Sequence, residues 1–177
     1  MTQPQRRWIL FTDIGDTIID ENTEEYAFGL VQRAECIPGA AEAYRRIHEL
    51  GFPIVIVADG RVRSFRNTMA QHGLTDIFSA WIISEEVGED KPSPKMFQAA
   101  MDAMGLTDAD KGRILMVGNN VLRDIRGANR FGIGSVLLDW SRNRPYDPEL
   151  PEDVPQMRIH TPAELVDLLL KKEAEEA

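Results

Sequence analysis

Several things are scarce in this sequence, and each scarcity narrows what the chain can be. Its 177 residues include a single cysteine, Cys36, and three histidines at 48, 72 and 160. It therefore forms no internal disulfide and offers no Cys/His zinc cluster. Free cysteine is usually a small buried hydrophobe, and Cys36 is expected to be one. No apolar run approaches the roughly 18 residues that cross a bilayer. The opening MTQPQRRWILFTD has too short an apolar stretch for a secretory leader. A cytoplasmic protein with no membrane attachment is expected. Positive charge is also in deficit, with 20 Lys and Arg against 29 Asp and Glu, for a net charge of −9. That balance argues against general nucleic-acid binding, which needs a basic footprint. Aromatics are few, at 7%, and Trp8, Trp81 and Trp140 are expected to pack in the core.

What is present is an ordinary globular balance, 43% hydrophobic and 28% charged, in a chain of one-domain length. Residues 7–12 (RWILFT), 53–58 (PIVIVA), 80–84 (AWIIS), 113–117 (RILMV) and 135–138 (SVLL) are short, nearly continuous apolar runs. Such runs suit strands buried on both faces, as in a parallel sheet. Between them, Ala40, Ala43, Tyr44, Ile47 and Leu50 form one helical stripe that Gly51 stops, and Ser93-Pro94 and Thr161-Pro162 open further helices. Strand–helix alternation implies a three-layer α/β/α sandwich, about five parallel strands between helices. A single domain over 1–177 is expected, with a surface loop at the proline-rich 141–156 and a flexible tail at 171–177.

Ligands of such sheets bind beyond the carboxyl ends of the strands. Asp13, Gly15, Asp16 and Thr17 follow the first strand; Ala58, Asp59, Gly60 and Arg61 lie at the second. Lys91 follows the third, and Asn119, Asn120 and Asp124 follow the fourth. Carboxylates gathered on one edge repel unless a cation joins them, and Mg²⁺ with one or two carboxylates plus a phosphate answers that requirement. A carboxylate can also attack phosphorus to give an aspartyl-phosphate. The plainer alternative is that Asp13 and Asp16 only shape a turn.

These segments, in this order, resemble the haloacid dehalogenase (HAD) superfamily, most of whose members are Mg²⁺-dependent phosphatases with a Rossmann-like sheet. Asp13-Ile14-Gly15-Asp16-Thr17 corresponds to the first motif, D-x-D-x-[TV], and Ala58-Asp59-Gly60 to the second. Lys91-Pro92-Ser93-Pro94-Lys95-Met96-Phe97 fits the third, K-P-x-P-x-x-F. Gly118 to Ala128 fits the fourth, G-D-x-x-x-x-D-x-x-G-A, except at Asn119. The resemblance implies Asp13 as nucleophile, Lys91 as its catalytic partner, and phosphate contacts from Ala58, Asp59, Gly60 and Lys91. It implies metal ligation by Asp13, the carbonyl of Gly15, Asn119 and Asp124.

Three departures bear on activity. The acid that protonates the leaving group is replaced by Gly15, with Asp16 one residue late and expected to point elsewhere. A hydroxyl is lost at Ala58, and a metal-binding carboxylate becomes Asn119. Asp59 is then expected either to restore negative charge near the metal or simply to cap the following helix. The segment 20–36 has room for a helix or a flap but not a cap domain, so an open site is expected, covered by a larger substrate or a second copy of the chain. Arginines at 61, 63, 66, 123 and 126 could form a cationic rim or pair with acids of an acidic protein. The leading expectation is a capless phosphatase acting on a phosphorylated small molecule, or on an exposed phosphate of a larger one. A catalytically degenerate binding or regulatory domain that keeps the phosphate pocket is the alternative, and a metal-free dehalogenase a third.

Overall fold

A computed structural model describes residues 6–175. Chain order begins with β1 (Ile9–Thr12), a single-turn 3₁₀ helix (Glu21–Thr23) and the hairpin strands β2 (Glu25–Ala27) and β3 (Leu30–Arg33). Then come α1 (Ala40–Glu49), β4 (Ile54–Ala58), α2 (Val62–Gln71), β5 (Ala80–Ile83), α3 (Ser84–Val87) and α4 (Pro94–Ala103). The remainder is β6 (Ile114–Gly118), a π-helical turn (Val121–Ile125), α5 (Arg126–Phe131), β7 (Gly134–Leu138), β8 (Met157–Ile159) and α6 (Pro162–Glu175).

Among the described residues the main sheet has six strands in the order β5-β4-β1-β6-β7-β8, every pairing parallel. Every residue of β1, β4 and β6 is buried, which is why they read as unbroken apolar runs. Their side chains alternate between faces. Leu10, Ile54, Ile56, Leu115 and Val117 pack with Tyr44 and Ile47 of α1 and Leu165 and Leu169 of α6. Ile9, Phe11, Val55, Val57 and Met116 pack with Met96, Phe97 and Ala100 of α4 and Ala128 of α5. Each fully buried Leu, Ile, Val, Phe or Met side chain among them contributes about 1.5–3 kcal/mol. Trp8 is buried, and Trp81 and Trp140 pack on the core from its edge, as expected.

The five expected strands are all present, and β8 is a sixth. The 141–156 segment is a loop apart from a 3₁₀ turn at Pro151–Asp153. It is pinned by Arg126, whose Nε and Nη2 donate to buried Asp153 at 2.6 and 2.9 Å. The expected tail at 171–177 is helical as far as Glu175, because Leu165 and Leu169 anchor α6 to the core; residues 176 and 177 lie outside the described residues. Cys36 is half-buried at the margin of the core rather than fully inside.

Candidate active site

The carboxyl edge of the sheet is where β1, β4 and β6 deliver their next residues. The Asp13 N–H donates to Val117 O at 3.0 Å, extending the β1–β6 ladder and fixing the backbone that carries the carboxylate. Lys91 arrives in the loop before α4 and is buried. Its N–H donates to Asp59 Oδ1 at 2.8 Å. Its Nζ donates to Asp13 Oδ1 at 3.1 Å, Asp124 Oδ1 at 2.6 Å and Val57 O at 2.6 Å, which satisfies all three ammonium protons. Burial opposes the charge on Lys91, but the carboxylates of Asp124, Asp13 and Asp59 outweigh it and hold the pKa above the ordinary lysine value. Burial and the Asp124 charge push Asp13 upward against the pull of Lys91.

Asp124 stands on the π turn, a widened helical geometry frequent at functional sites. Its Oδ2 accepts the Asn120 N–H at 3.0 Å, while the Asn120 side chain caps the turn through the N–H groups of Leu122 and Arg123. Gly118 is required beneath it, because a Cβ there would collide with the Asp124 carboxyl. Asp59 does not cap α2, whose N-cap residue is Arg61. Instead Asp59 Oδ2 accepts from Arg123 at 3.3 Å and lies 4.0 Å from Lys91 Nζ, tying three segments of the chain together. Burial raises its pKa in spite of Lys91.

Above this floor is a cavity of about 380 Å³ lined by Asp13, Gly15, Asp59, Gly60, Asn119 and Asp124, with Val31, Phe65 and Tyr26 farther out. Of the residues the sequence nominated for phosphate, Asp59 and Gly60 reach the cavity. Ala58 is fully buried and does not line it. Lys91 likewise stands behind Asp13 and Asp124 rather than in the wall, and the Gly60 N–H is already given to Ser84 Oγ at 2.9 Å.

The segment 20–36 is a flap rather than a helix. Its hairpin is pinned to α2 by Val31 N–H on Ser64 Oγ at 3.1 Å and Asn67 Nδ2 on Val31 O at 2.9 Å. Asp16 points away from Asp13, as expected. It is buried, and its carboxylate accepts from Glu21 N–H, Ser141 Oγ and Asn143 Nδ2 at 3.0, 2.9 and 2.7 Å. Glu21 also lines the cavity and was not singled out from the sequence. Burial, then the charge of Asp16, pushes its carboxyl up to about 7, with Arg144 opposing. The arginines divide. Arg61, Arg123 and Arg144 line the cavity, whereas Arg66 stacks on Trp81, and Arg126 and Arg130 pair with Asp153 and Glu152. Arg63 is exposed and outside the cavity wall.

The four metal ligands implied by the resemblance all border this one cavity. Two carboxylates, a carbonyl and an amide are hard oxygen donors suited to Mg²⁺. Asn119 is 2% exposed and its Nδ2 has no hydrogen-bond partner. That atom is an N–H donor and cannot ligate a cation, so the fit to Mg²⁺ rests on the oxygens of this donor set. Among the described residues no three acidic, His or Cys side chains are grouped to hold an ion alone, so an ion here would rely on the Gly15 carbonyl, Asn119 and oxygens of the substrate. No described helix is long and apolar enough to cross a membrane.

Comparison with known proteins bears on the family and the fold. The chain is 30% identical over 132 residues to glyceraldehyde 3-phosphate phosphatase of Methanopyrus kandleri, covering 75% of this chain and 55% of that protein. It is 35% identical over 119 residues to phosphoserine phosphatase of Thermus thermophilus, covering 67% and 43%. The chain thus spans about half the length of the curated relatives it matches. Among solved structures, the magnesium-bound HAD-hydrolase YfnB of Bacillus subtilis superposes with a TM-score of 0.74 at 16% identity, covering 93% of this chain and 99% of that one. HAD phosphatase from Thermococcus onnurineus gives 0.73 at 17%, covering 92% and 97%; both show the shared fold. The family model for haloacid dehalogenase-like hydrolases matches residues 5–132, and with most of its length so matched the chain belongs to that family.

Proposed function

We propose that this chain hydrolyses phosphate monoesters of small molecules, with Asp13 as the nucleophile. The observation that carries the reading is the buried Lys91 ammonium bonded to both Asp13 and Asp124, behind the two carboxylates that line the cavity. Lys91 fixes one oxygen of Asp13 and leaves the other to attack phosphorus. The same ammonium balances a cluster of carboxylates that would otherwise repel an incoming phosphate. A volume near 380 Å³ suits a small ligand, in keeping with relatives named for phosphates of a triose and of an amino acid. We read the hairpin as the whole cover of the site. When bound, Mg²⁺, which Asp13, the Gly15 carbonyl, Asn119 and Asp124 would hold, draws charge from the phosphoryl oxygens. Asp13 then carries the phosphoryl group as an aspartyl-phosphate until water releases it.

The test is release of nitrophenolate from 4-nitrophenyl phosphate with Mg²⁺. Turnover that Asp13→Asn abolishes supports the reading. Binding of inorganic phosphate without any turnover would instead make the chain a binding domain.

A further inference from the structure

We propose that Glu21 supplies the carboxyl group that position 15 lacks, standing on the leaving-group side of Asp13 and carrying the proton to the departing alkoxide. The assignment rests on the reading of Asp13 given above. Its ground is a steric exchange. A Cβ built on Gly15 would collide with Glu21 Oε1 and come within 3.0 Å of Glu21 Cδ and 3.3 Å of Cγ. The Glu21 carboxyl therefore fills the volume into which any side chain at position 15 would project. Residues 15 and 21 are complementary, one emptied and the other folded into the vacated space.

Placement of Glu21 is built rather than incidental. Its N–H is held at 3.0 Å by Asp16 Oδ1, and Asp16 is itself locked to Ser141 and Asn143. Asp20 caps the short turn that starts at Glu21 by accepting the Asn22 N–H at 3.0 Å. The charged groups facing the carboxyl are Asp16, Asp13, Glu24 and Arg144. Arg144 Nη2 stands 3.7 Å from Oε2, both side chains partly exposed. An ion pair of that kind is worth less than about 1 kcal/mol, too little to explain why a carboxylate is held over a glycine beside two other acids. Both Glu21 and Asp13 line the one cavity.

The chemistry balances with these two residues. An Asp13 oxygen forms a bond to phosphorus as the P–O bond to the alcohol breaks; the electron pair passes to the alcohol oxygen, which takes the proton of Glu21. Water then attacks phosphorus, and its proton goes to the Glu21 carboxylate. The P–O bond to Asp13 breaks and returns its electron pair to that carboxylate, giving inorganic phosphate and the starting protonation states.

Kinetics at one fixed pH on two esters test the assignment: 4-nitrophenyl phosphate, whose phenolate leaves unaided, and propyl phosphate, whose alkoxide needs a proton. Glu21→Gln should lower kcat/KM, which covers the steps through alcohol release and not the shared attack of water, by about 10²–10⁴-fold on propyl phosphate, and by at least about tenfold less on the aryl ester. Gly15→Ala, at a residue outside the left-handed region, pushes the carboxyl aside without altering it and should show the same selectivity. The double variant Gly15→Asp, Glu21→Ala should recover propyl phosphate turnover to within about tenfold of the unaltered chain. Equal losses of kcat/KM on the two esters, or a propyl phosphate kcat/KM within about twofold of normal in Glu21→Gln, would overturn the assignment. If Asp13→Asn abolishes aryl turnover while Glu21→Gln shows no selectivity, only the role of Glu21 falls. If the unaltered chain turns over neither ester, the role of Asp13 falls with it.

Discussion

Asp16→Asn is the perturbation that most directly probes how the rim of the site is held. Asp16 is fully buried with φ of 49°, a left-handed conformation that asparagine tolerates as well as aspartate. The replacement therefore keeps backbone and volume and removes only a charge and half the accepting capacity. One oxygen accepts the Glu21 N–H, the other accepts Ser141 Oγ and Asn143 Nδ2. A new NH₂ facing Glu21 N–H would set donor against donor with no means of relief. The amide must therefore face Ser141, whose hydroxyl can rotate, and Asn143, whose amide can flip. Hydrogen bonds to a charged acceptor contribute about 1 kcal/mol more than neutral ones, so three weakened bonds predict a loss of about 2–3 kcal/mol. For a domain of this size that is a fall in Tm of about 5–10 °C. The loss should be concentrated locally, with faster amide hydrogen exchange at Glu21 and over residues 141–144. A Tm within about 1 °C of the unaltered chain, with exchange unchanged there, would refute the reasoning.

Three further outcomes are expected. Lys91→Met should abolish turnover and cost about 3–5 kcal/mol in urea unfolding, because it leaves Asp13, Asp59 and Asp124 together without their buried counter-ion; an unchanged midpoint would contradict it. Gly118→Ala should cost about 1–3 kcal/mol and displace Asp124, whose carboxyl occupies the path of the new methyl, seen as joint loss of Tm and activity. Asp153 is held down to about 2, chiefly by its hydrogen bond from Arg126. A carboxyl depressed on folding contributes fully above its unfolded pKa of about 4 and loses that contribution as pH falls toward 2. Urea midpoints between pH 5 and 2 should therefore fall more steeply for the unaltered chain than for Asp153→Asn, and parallel profiles would refute this.

The sheet was legible because burial on both faces leaves a mark in one dimension: Ile54 to Ala58 and Ile114 to Val117 are apolar without interruption. The nucleophile candidate and its lysine were legible for the same reason, since each follows directly from a strand or sits in a proline-rich helix start. β8 was not, being three residues, Met157-Arg158-Ile159, with the arginine exposed. The hairpin was also hidden, because Glu25 and Tyr26 are exposed and its stability comes from Ser64 and Asn67 of α2. Asp59 was placed at the right strand end, but its partners Lys91 and Arg123 lie in other segments and cannot be read from the D-G dipeptide. Glu21 was the least legible of all. The one signal available was a missing side chain at 15, and which nearby acid folds back into that space depends on the turn that Asp16 and Asp20 set.

The two halves of the site are therefore secured by different physics. Its floor is made of Asp13, Lys91 and Asp124, all on or against strands with no exposed residue, and a buried ammonium with three satisfied bonds cannot shift without leaving charges uncompensated. Its rim is the hairpin, Glu21 and the loop carrying Ser141 to Arg144, which meet the body of the protein through a handful of hydrogen bonds. Asp16 binds both rim segments at once, from a position three residues beyond the nucleophile. A change at the rim can thus alter which ester is accepted, and how well its alcohol is protonated, while the geometry of attack stays fixed. Asp16 couples the two, so its loss should slow alkyl esters relative to aryl ones before it reduces attack by Asp13.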